Sequence, residues 1–211
     1  MISLRLMQDT MKDYITMRNW FLEPELQEWV WCDEVGEVPS LERIIEKYGS
    51  RVKSLTDVFP YFILRDNEPI GFIQYYIHDE KSIGLDMWIG VLRERNNGYG
   101  TEALKQMVQI IHRKHPAVKE LFIDPEVDNI RAIKCYQNAG FQNVGEIVDD
   151  EGDRCLLHKI VFENNGGNKD GGSSGYLDML PIRQTAKQQK RERGEQAWEN
   201  ELRWTWRKRN I

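Results

Sequence analysis

Residues 95–101 read Arg95-Asn96-Asn97-Gly98-Tyr99-Gly100-Thr101, an Arg-x-x-Gly-x-Gly sequence. An apolar, strand-like segment, residues 85–92, precedes this loop, and apolar residues recur with helical spacing after it. A glycine-rich turn between a strand and a helix can bind an anion, because the first N–H groups of the helix have no intrahelical acceptor and the helix dipole favours negative charge there. Gly98 and Gly100 lack a Cβ, so a phosphate can approach their backbone closely.

The glycine loop by itself is typical of either a tight turn or a phosphate site. A second motif downstream of the loop helps to decide between them. It reads Asn129-x-x-Ala132-x-x-x-Tyr136-x-x-x-Gly140-Phe141. The two motifs, in this order, resemble the acetyl-CoA site of the GCN5-related N-acetyltransferase superfamily. The resemblance covers residues 2–162, and it implies acetyl-CoA as the cosubstrate.

The spacing of apolar residues and the capping signals predict a succession of strands and helices. Strands are expected at residues 2–6, 60–65, 70–78, 85–92, 121–123, 141–148 and 154–162. Helices are expected to begin near Thr10, Pro24, Ser40, Thr101 and Asn129. Three strands in series before the glycine loop indicate an antiparallel meander. The predicted fold class is α+β, with a mixed, mostly antiparallel central sheet and helices on both faces.

Length and composition set the broad class of the protein. The chain has 211 residues, of which 40% are apolar, enough for one domain with an appendage. Its N-terminus lacks a signal pattern and no apolar run reaches membrane-spanning length, so we expect a cytoplasmic protein without a membrane partner. Cys32, Cys135 and Cys155 are an odd number without metal-ligand spacing, which predicts reduced thiols and no metal site.

The composition divides the chain into three segments: an acetyltransferase domain, residues 1–163; a Gly/Ser/Asn-rich flexible linker, residues 164–175; and a basic, Trp-containing tail, residues 176–211. The net charge is −5, and the tail alone holds nine Lys/Arg and five Asp/Glu, so the tail carries +4 and the remainder −9. An acidic body suits a cationic small molecule better than nucleic acid.

The tail has an apolar stripe at helical spacing, formed by Trp198, Leu202 and Trp206. Some 36 residues bury little surface by themselves. We therefore expect the tail to be a helical segment that docks on its own domain or on a second copy, and to be dispensable for acetyl transfer. A fused peptide and a natural arm both remain open.

The resemblance implies a role for each residue of the glycine loop. The cosubstrate-binding set comprises Arg95, Asn96, Asn97, Gly98, Tyr99, Gly100, Thr101 and Asn129. Backbone N–H groups would hold the pyrophosphate, and Arg95 would either add charge-assisted hydrogen bonds or form an exposed salt bridge. Thr101 would cap the helix or bond a phosphate oxygen. Asn129 would cap its helix, contact the cosubstrate, or do both.

Tyr136 occupies the face that the superfamily turns towards the thioester sulfur. Its phenol would then give a proton to the departing thiolate. The alternative is a tyrosine that only packs in the core of an amphipathic helix.

A more specific resemblance rests on Gly84-Leu85-Asp86-Met87-Trp88-Ile89-Gly90, on Asp124-Pro125 and on residues 131–136. These stretches resemble the aminoglycoside 6′-N-acetyltransferase branch. The branch implies that Asp86 faces the acceptor amine as the base and that Asp124 binds the amino sugar. It also implies substrate contact near Trp29 and Trp31, whose alternative role is core packing. For Asp86, the alternative is a buried carboxylate satisfied by its neighbours.

The predicted function is acetyl-CoA-dependent acetylation of the 6′-amine of aminoglycosides, which would confer resistance to these antibiotics. Direct attack in a ternary complex is expected, because the sequence has no Ser-His-Asp or Cys-His grouping for an acyl-enzyme. One alternative is the same chemistry on another amine: a siderophore precursor, a polyamine or a protein. A second is an acyl-CoA-binding interaction module with a partner-docking tail.

Overall fold

A computed structural model of the chain describes residues 1–30, 38–149 and 152–162. Trp31, Cys32, the linker at residues 164–175 and the tail at residues 176–211 lie outside the described residues. The predictions made for them stay predictions.

The described residues form seven strands and five α-helices. The strands are β1 (Ile2–Leu6), β2 (Val58–Arg65), β3 (Glu68–Ile77), β4 (Ser82–Ile89), β5 (Glu120–Ile123), β6 (Gln142–Val148) and β7 (Arg154–Val161). The helices are α1 (Met11–Trp20), α2 (Pro24–Val30), α3 (Leu41–Lys53), α4 (Tyr99–Lys114) and α5 (Ile130–Asn138). The sheet has the strand order β1-β2-β3-β4-β5-β7-β6. The predicted α+β class with a mixed central sheet is confirmed.

Local capping and turn chemistry explain several element boundaries. Thr10 accepts a hydrogen bond from the Asp13 N–H at the start of α1, and Ser40 accepts one from the Arg43 N–H at the start of α3. The hairpin between β2 and β3 turns through Asp66 and Asn67, which both have positive φ, 51° and 70°. Two consecutive left-handed residues are typical of the tightest hairpin turn, so these sequence predictions are confirmed.

The predicted position of β4, residues 85–92, is wrong at both ends. The strand begins at Ser82, immediately after a short turn in which the His78 N–H donates to the Ser82 carbonyl. It stops at Ile89 because the next residues are held by tertiary contacts. Gly90 donates its N–H to the Ile70 carbonyl, and a Cβ on Gly90 would lie 2.2 Å from the ring of Trp20. The chain then enters a short 3₁₀ turn, Leu92–Glu94, before the glycine loop.

The residues cluster into two compact units, and each has its own core. The first comprises Met1–Ile77 and Gly84–Pro116, and its described core includes an aromatic cluster from helices and strands: Tyr14, Trp20, Phe21, Tyr48, Phe62, Phe72 and Trp88. The second comprises His78–Ile83 and the described residues between Ala117 and Phe162. Its buried residues include Leu121, Phe141 and Ile160. Among the described helices, none combines the length and apolarity needed to cross a membrane.

Candidate active site

The glycine loop of the first unit has the backbone geometry that an anion site requires. Asn96 and Gly98 both have positive φ, 62° and 80°. Gly98 is the N-cap of α4 and has no side chain to cap the first N–H groups of that helix. A Cβ added to Gly98 would meet nothing within 4 Å, so the space beside the loop is open. Helix N–H groups beside an open space are the arrangement in which anions bind, and diphosphate binding at this loop stays a prediction.

Side chains within the loop stabilise its conformation. The Asn97 Nδ2 donates to the carbonyl oxygens of Arg93 and Arg95, at 3.2 Å and 3.0 Å. The ring of Tyr99 lies under the guanidinium of Arg65, 5.2 Å from ring centroid to Cζ. These contacts hold the backbone of the loop in place. The binding roles of Asn96, Gly100 and Thr101 stay predictions.

The guanidinium of Arg95 is buried and forms an ion pair with a partly exposed carboxylate, so the exposed salt bridge offered as its alternative role is not what the structure shows. Its side chain is only 5% exposed. The guanidinium donates from Nε to the Ile89 carbonyl, at 2.9 Å, and from Nη1 to the carboxylate of Glu25 on α2. Contact between Arg95 and a phosphate stays a prediction, and such contact would require this ion pair to rearrange.

Asp86 lies within β4, half-buried, and is connected to the core by a chain of hydrogen bonds. Gln74, on β3, donates from Nε2 to Oδ2 of Asp86 at 2.8 Å. The Oε1 of the same amide accepts from Nη1 of Arg51, on α3, at 3.1 Å. Gln74 and Arg51 are both buried, at 3% and 8% exposure. The carboxylate is thus partnered from the interior, while half-burial leaves part of Asp86 accessible to solvent.

Sequence reasoning missed Gln74 and Arg51, although each leaves a trace in the sequence. The segment Ile70–Ile77 consists of apolar residues, one glycine, two tyrosines and the single amide side chain Gln74. Arg51 follows Ile44 and Tyr48 at helical spacing, so it occupies the stripe that α3 buries. A polar residue at a core position of a strand or helix is unusual and needs a partner.

In the second unit, Tyr136 lies on α5 and is 7% exposed, and its ring meets that of His158 edge-on at 6.4 Å between centroids. Asn129 caps α5 by accepting from the Ala132 N–H at 3.1 Å, which confirms its predicted capping role. Gly140 follows the helix with φ of 103°, as a C-terminal glycine should. The proposed contacts of Tyr136 and Asn129 with the cosubstrate stay predictions.

Asp124 follows β5 directly and is half-buried.

The pKa of the Cys155 thiol is raised to about 12, mainly by burial and to a smaller extent by the negative charges of Asp124, Glu126 and Asp153. This thiol therefore stays protonated near neutral pH and is a poor nucleophile. Cys135 is also a free cysteine.

Trp29 is partly buried on α2, and the substrate roles of Trp29 and Asp124 stay predictions.

Residues 9–148 match the family described as acetyltransferase (GNAT) domain. The chain belongs to this family. The predicted acetyltransferase fold and the predicted acyltransferase class are therefore confirmed. In the part of the chain described by the structure, no group of three or more His, Cys, Asp or Glu side chains could hold a metal ion.

Several similar GNAT proteins have a known activity or structure. An aminoglycoside N(6′)-acetyltransferase type 1 from Klebsiella pneumoniae is 29% identical over 163 residues, which are 72% of this chain and 79% of that protein. The aminoglycoside acetyltransferase AAC(6′)-Ib in complex with coenzyme A and kanamycin is 26% identical, with a TM-score of 0.66 over 76% of this chain and 95% of that one. Its complex with ribostamycin and coenzyme A gives a TM-score of 0.67 at the same identity, over 80% and 99%.

Proposed function

We propose that this protein transfers the acetyl group of acetyl-CoA to the 6′-amine of aminoglycosides. Two kinds of observation support the proposal. The similar proteins from Klebsiella pneumoniae and from the kanamycin complex are aminoglycoside acetyltransferases. The chain also carries a partly exposed carboxylate, Asp86, at the position where the branch it resembles has its base. The carboxylate within β4 is the observation that carries the proposal, because few carboxylates occur in an otherwise apolar strand without a functional reason.

Acetyl-CoA is the acetyl donor, and the glycine loop is the part of the chain suited to its diphosphate. The N–H groups at the start of α4 would donate to the phosphate oxygens, next to the open space at Gly98. Arg95 would support the loop through Glu25 and the Ile89 carbonyl. Acetyl-CoA supplies an activated thioester, and the protein's task is to place an amine against it.

Asp86 would take the proton that the amine loses. An amine of this kind is mostly protonated at neutral pH, so it must be attracted as a cation and then deprotonated. A carboxylate does both. The ammonium first loses one proton to Asp86, directly or through one water, and Asp86 passes it to solvent. The neutral nitrogen then forms a bond to the carbonyl carbon of the acetyl group, the carbon–sulfur bond breaks, and a second proton leaves the nitrogen for Asp86.

Tyr136 would return a proton to the sulfur that leaves. A phenol with an ordinary pKa near 10 can donate to a thiolate that is formed in a site of low polarity. Both side chains return to their starting protonation states when Asp86 loses its proton to solvent and Tyr136 takes one up from solvent.

The substrate would be held by its positive charges. Residues 1–175 carry a net charge of −9, and Asp124 adds a half-buried carboxylate to the second unit. Aminoglycosides carry several ammonium groups, so an acidic body attracts them at long range and individual carboxylates bind them at short range. Trp29 would offer an apolar face to a sugar ring.

Turnover on a small panel tests the proposal. The purified full chain is mixed with acetyl-CoA and with kanamycin, ribostamycin, spermidine or a lysine derivative, and thiol release is followed together with the mass of the product. We expect a gain of one acetyl group on kanamycin and ribostamycin. An aminoglycoside with a 6′-hydroxyl in place of the 6′-amine is the matched control, and we expect no N-acetylated product from it.

Two outcomes would redirect the assignment. Acetylation of the 6′-hydroxyl control at an amine would mean that another position is the acceptor. Turnover only on spermidine or the lysine derivative would leave the acetyl-CoA chemistry in place and reject the aminoglycoside substrate.

A further inference from the structure

Arg51 lies in the core of the first unit although its side chain carries a charge. Only 8% of the residue is exposed. Burial lowers the pKa of the guanidinium from its ordinary value, and the charges of Tyr48 and Asp86 oppose that effect. A buried guanidinium is costly unless its N–H groups and its charge have partners. The partners of Arg51 therefore indicate what it does.

The described contacts of the Arg51 guanidinium include one aromatic ring and one side-chain amide. Its Cζ lies 5.0 Å from the centroid of the Tyr48 ring, over the ring face. Its Nη1 donates to Oε1 of Gln74. Tyr48 is itself fixed, since it is 2% exposed and its ring packs edge-on against Phe72 at 5.6 Å. Arg51 is thus a buried donor whose Nη1 is directed at the oxygen of the Gln74 amide.

The chemistry of the three side chains allows only one orientation of this amide. A guanidinium can only donate hydrogen bonds, and an ionised carboxylate can only accept them. Gln74 lies between Arg51 and Asp86, so its oxygen must face Arg51 and its NH₂ group must face Asp86. If Arg51 were absent, the buried oxygen of the Gln74 amide would lose this donor, and the amide would no longer be held in place from the side opposite Asp86.

We propose that Arg51 is a positioning residue for acetyl transfer, which acts through Gln74 to hold the carboxylate of Asp86 in the orientation that accepts the proton of the amine. The inference rests on the proposed function, since it assigns Arg51 a role in the reaction at Asp86. Gln74 links Arg51 to Asp86, so Arg51 can act on the reaction without contacting the substrate.

The first test replaces Arg51 with an uncharged side chain of similar length. Arg51→Met should lower kcat roughly 10- to 100-fold, as expected for a misplaced catalytic group, and leave the KM for acetyl-CoA within about twofold. Arg51→Lys keeps one charged donor and should recover part of the lost kcat. If Arg51→Met folds and keeps the wild-type kcat, the inference is wrong.

A matched control comes from Arg5 on β1. Its guanidinium also stacks on a core aromatic ring, 5.2 Å from the centroid of Phe62, and it forms an ion pair with Asp13 at 2.9 Å. Arg5 donates its hydrogen bonds to the Leu6 carbonyl and to the carboxylate of Asp13. Arg5→Met should therefore lower the melting temperature without lowering kcat. An equal fall in kcat for Arg5→Met and Arg51→Met would reduce Arg51 to a general stabilising role.

A second comparison asks whether Arg51 acts through Asp86. In an Asp86→Asn background the base is missing, so adding Arg51→Met should reduce kcat by less than about twofold, because residues that act as one unit are not additive. If the loss of kcat in the double variant equals the product of the losses in the two single variants, Arg51 acts independently of Asp86 and the inference is wrong. If Arg51→Met does not fold, Gln74→Met breaks the same link while keeping Arg51, and an unchanged kcat in that variant would equally overturn the inference.

Failure of the proposed function gives a different result from failure of this inference. If the wild-type enzyme acetylates another amine and no aminoglycoside, the substrate assignment fails, and the Arg51 variants are compared on the amine that is accepted. If the wild-type enzyme acetylates aminoglycosides and Arg51→Met does so equally fast, only the positioning role fails.

Discussion

Gln74 donates a hydrogen bond from Nε2 to Oδ2 of Asp86 at 2.8 Å and so joins neighbouring strands β3 and β4 at the carboxylate proposed as the base. The donor is fully enclosed by protein, while the acceptor is half-buried. A carboxylate fixed from the interior side can be oriented before a substrate arrives, so less ordering is needed during the reaction.

Asp86→Asn should remove the proposed base without disturbing β4. The change is nearly isosteric, and the side-chain oxygen of Asn can still accept from Gln74. We expect kcat on kanamycin to fall about 10²- to 10⁴-fold, the usual contribution of a general base, with little change in acetyl-CoA affinity. Steady-state kinetics and calorimetry measure the two quantities.

Glu68→Gln is the control for loss of one negative charge. Glu68 lies in the same unit, is exposed, and begins β3 at the hairpin turn. Its neutralisation should leave kcat unchanged. Wild-type turnover in Asp86→Asn would reject Asp86 as the base.

Gly98→Ala should weaken acetyl-CoA binding. The added methyl group meets nothing within 4 Å in the protein itself, so it occupies the open space that the diphosphate would need. We expect Kd to rise about tenfold, which corresponds to about 1.4 kcal/mol. Because φ is 80°, the same change should also destabilise the fold by about 1–2 kcal/mol.

Gly152→Ala separates the backbone effect from the binding effect. Gly152 also has positive φ, 88°, and open space at its Cβ, but it lies between β6 and β7. The control should lose similar stability and bind acetyl-CoA as the wild type does. If Gly98→Ala also retains wild-type affinity by calorimetry, the phosphates lie elsewhere.

Boundaries set by neighbouring residues could be predicted from the sequence. Asn129 caps α5 through a residue three positions away, and the Asp66-Asn67 turn depends on residues that tolerate left-handed backbone. The glycine loop was found for the same reason, since a strand, two glycines and a helix follow one another along the chain.

Contacts between distant residues could not be predicted in this way. The Arg51–Gln74 bond joins residues 23 apart in the sequence, and the Arg95–Glu25 pair joins residues 70 apart. The end of β4 likewise depends on the packing of Gly90 against Trp20. Such contacts follow from which faces of helices and strands meet, and the spacing of residues within one element does not contain that information.

Tyr136→Phe should slow acetyl transfer while leaving the fold nearly intact. Only the hydroxyl is lost, so we expect a stability change of about 1 kcal/mol. If the phenol protonates the thiolate, single-turnover kinetics with saturating acetyl-CoA should show a rate about 10²-fold lower.

Tyr75→Phe is the control for removing a buried phenol. Tyr75 is fully buried on β3, and burial together with the charge of Tyr61 raises its pKa. Its hydroxyl lies 3.2 Å from Nε2 of His115, and no role in the reaction is proposed for it. Tyr75→Phe should keep the wild-type rate. If Tyr136→Phe reacts as fast as Tyr75→Phe, Tyr136 is a packing residue and does not protonate the thiolate.

The buried pair of Arg95 and Glu25 provides the last prediction, since Arg95 has been assigned both to phosphate binding and to this pair. Glu25→Gln removes a negative charge beside a guanidinium that is 5% exposed, whereas Arg95→Met leaves a carboxylate that is 36% exposed and that water can solvate. We therefore expect Glu25→Gln to lower the free energy of unfolding by about 1–2 kcal/mol, after allowance for solvent screening, and Arg95→Met to lower it less. Denaturant unfolding of both variants and of the double variant measures the coupling. Calorimetry on Arg95→Met then decides the role: an acetyl-CoA Kd within about threefold of wild type supports a stabilising pair, and a rise of tenfold or more, about 1.4 kcal/mol, assigns the guanidinium to the phosphates.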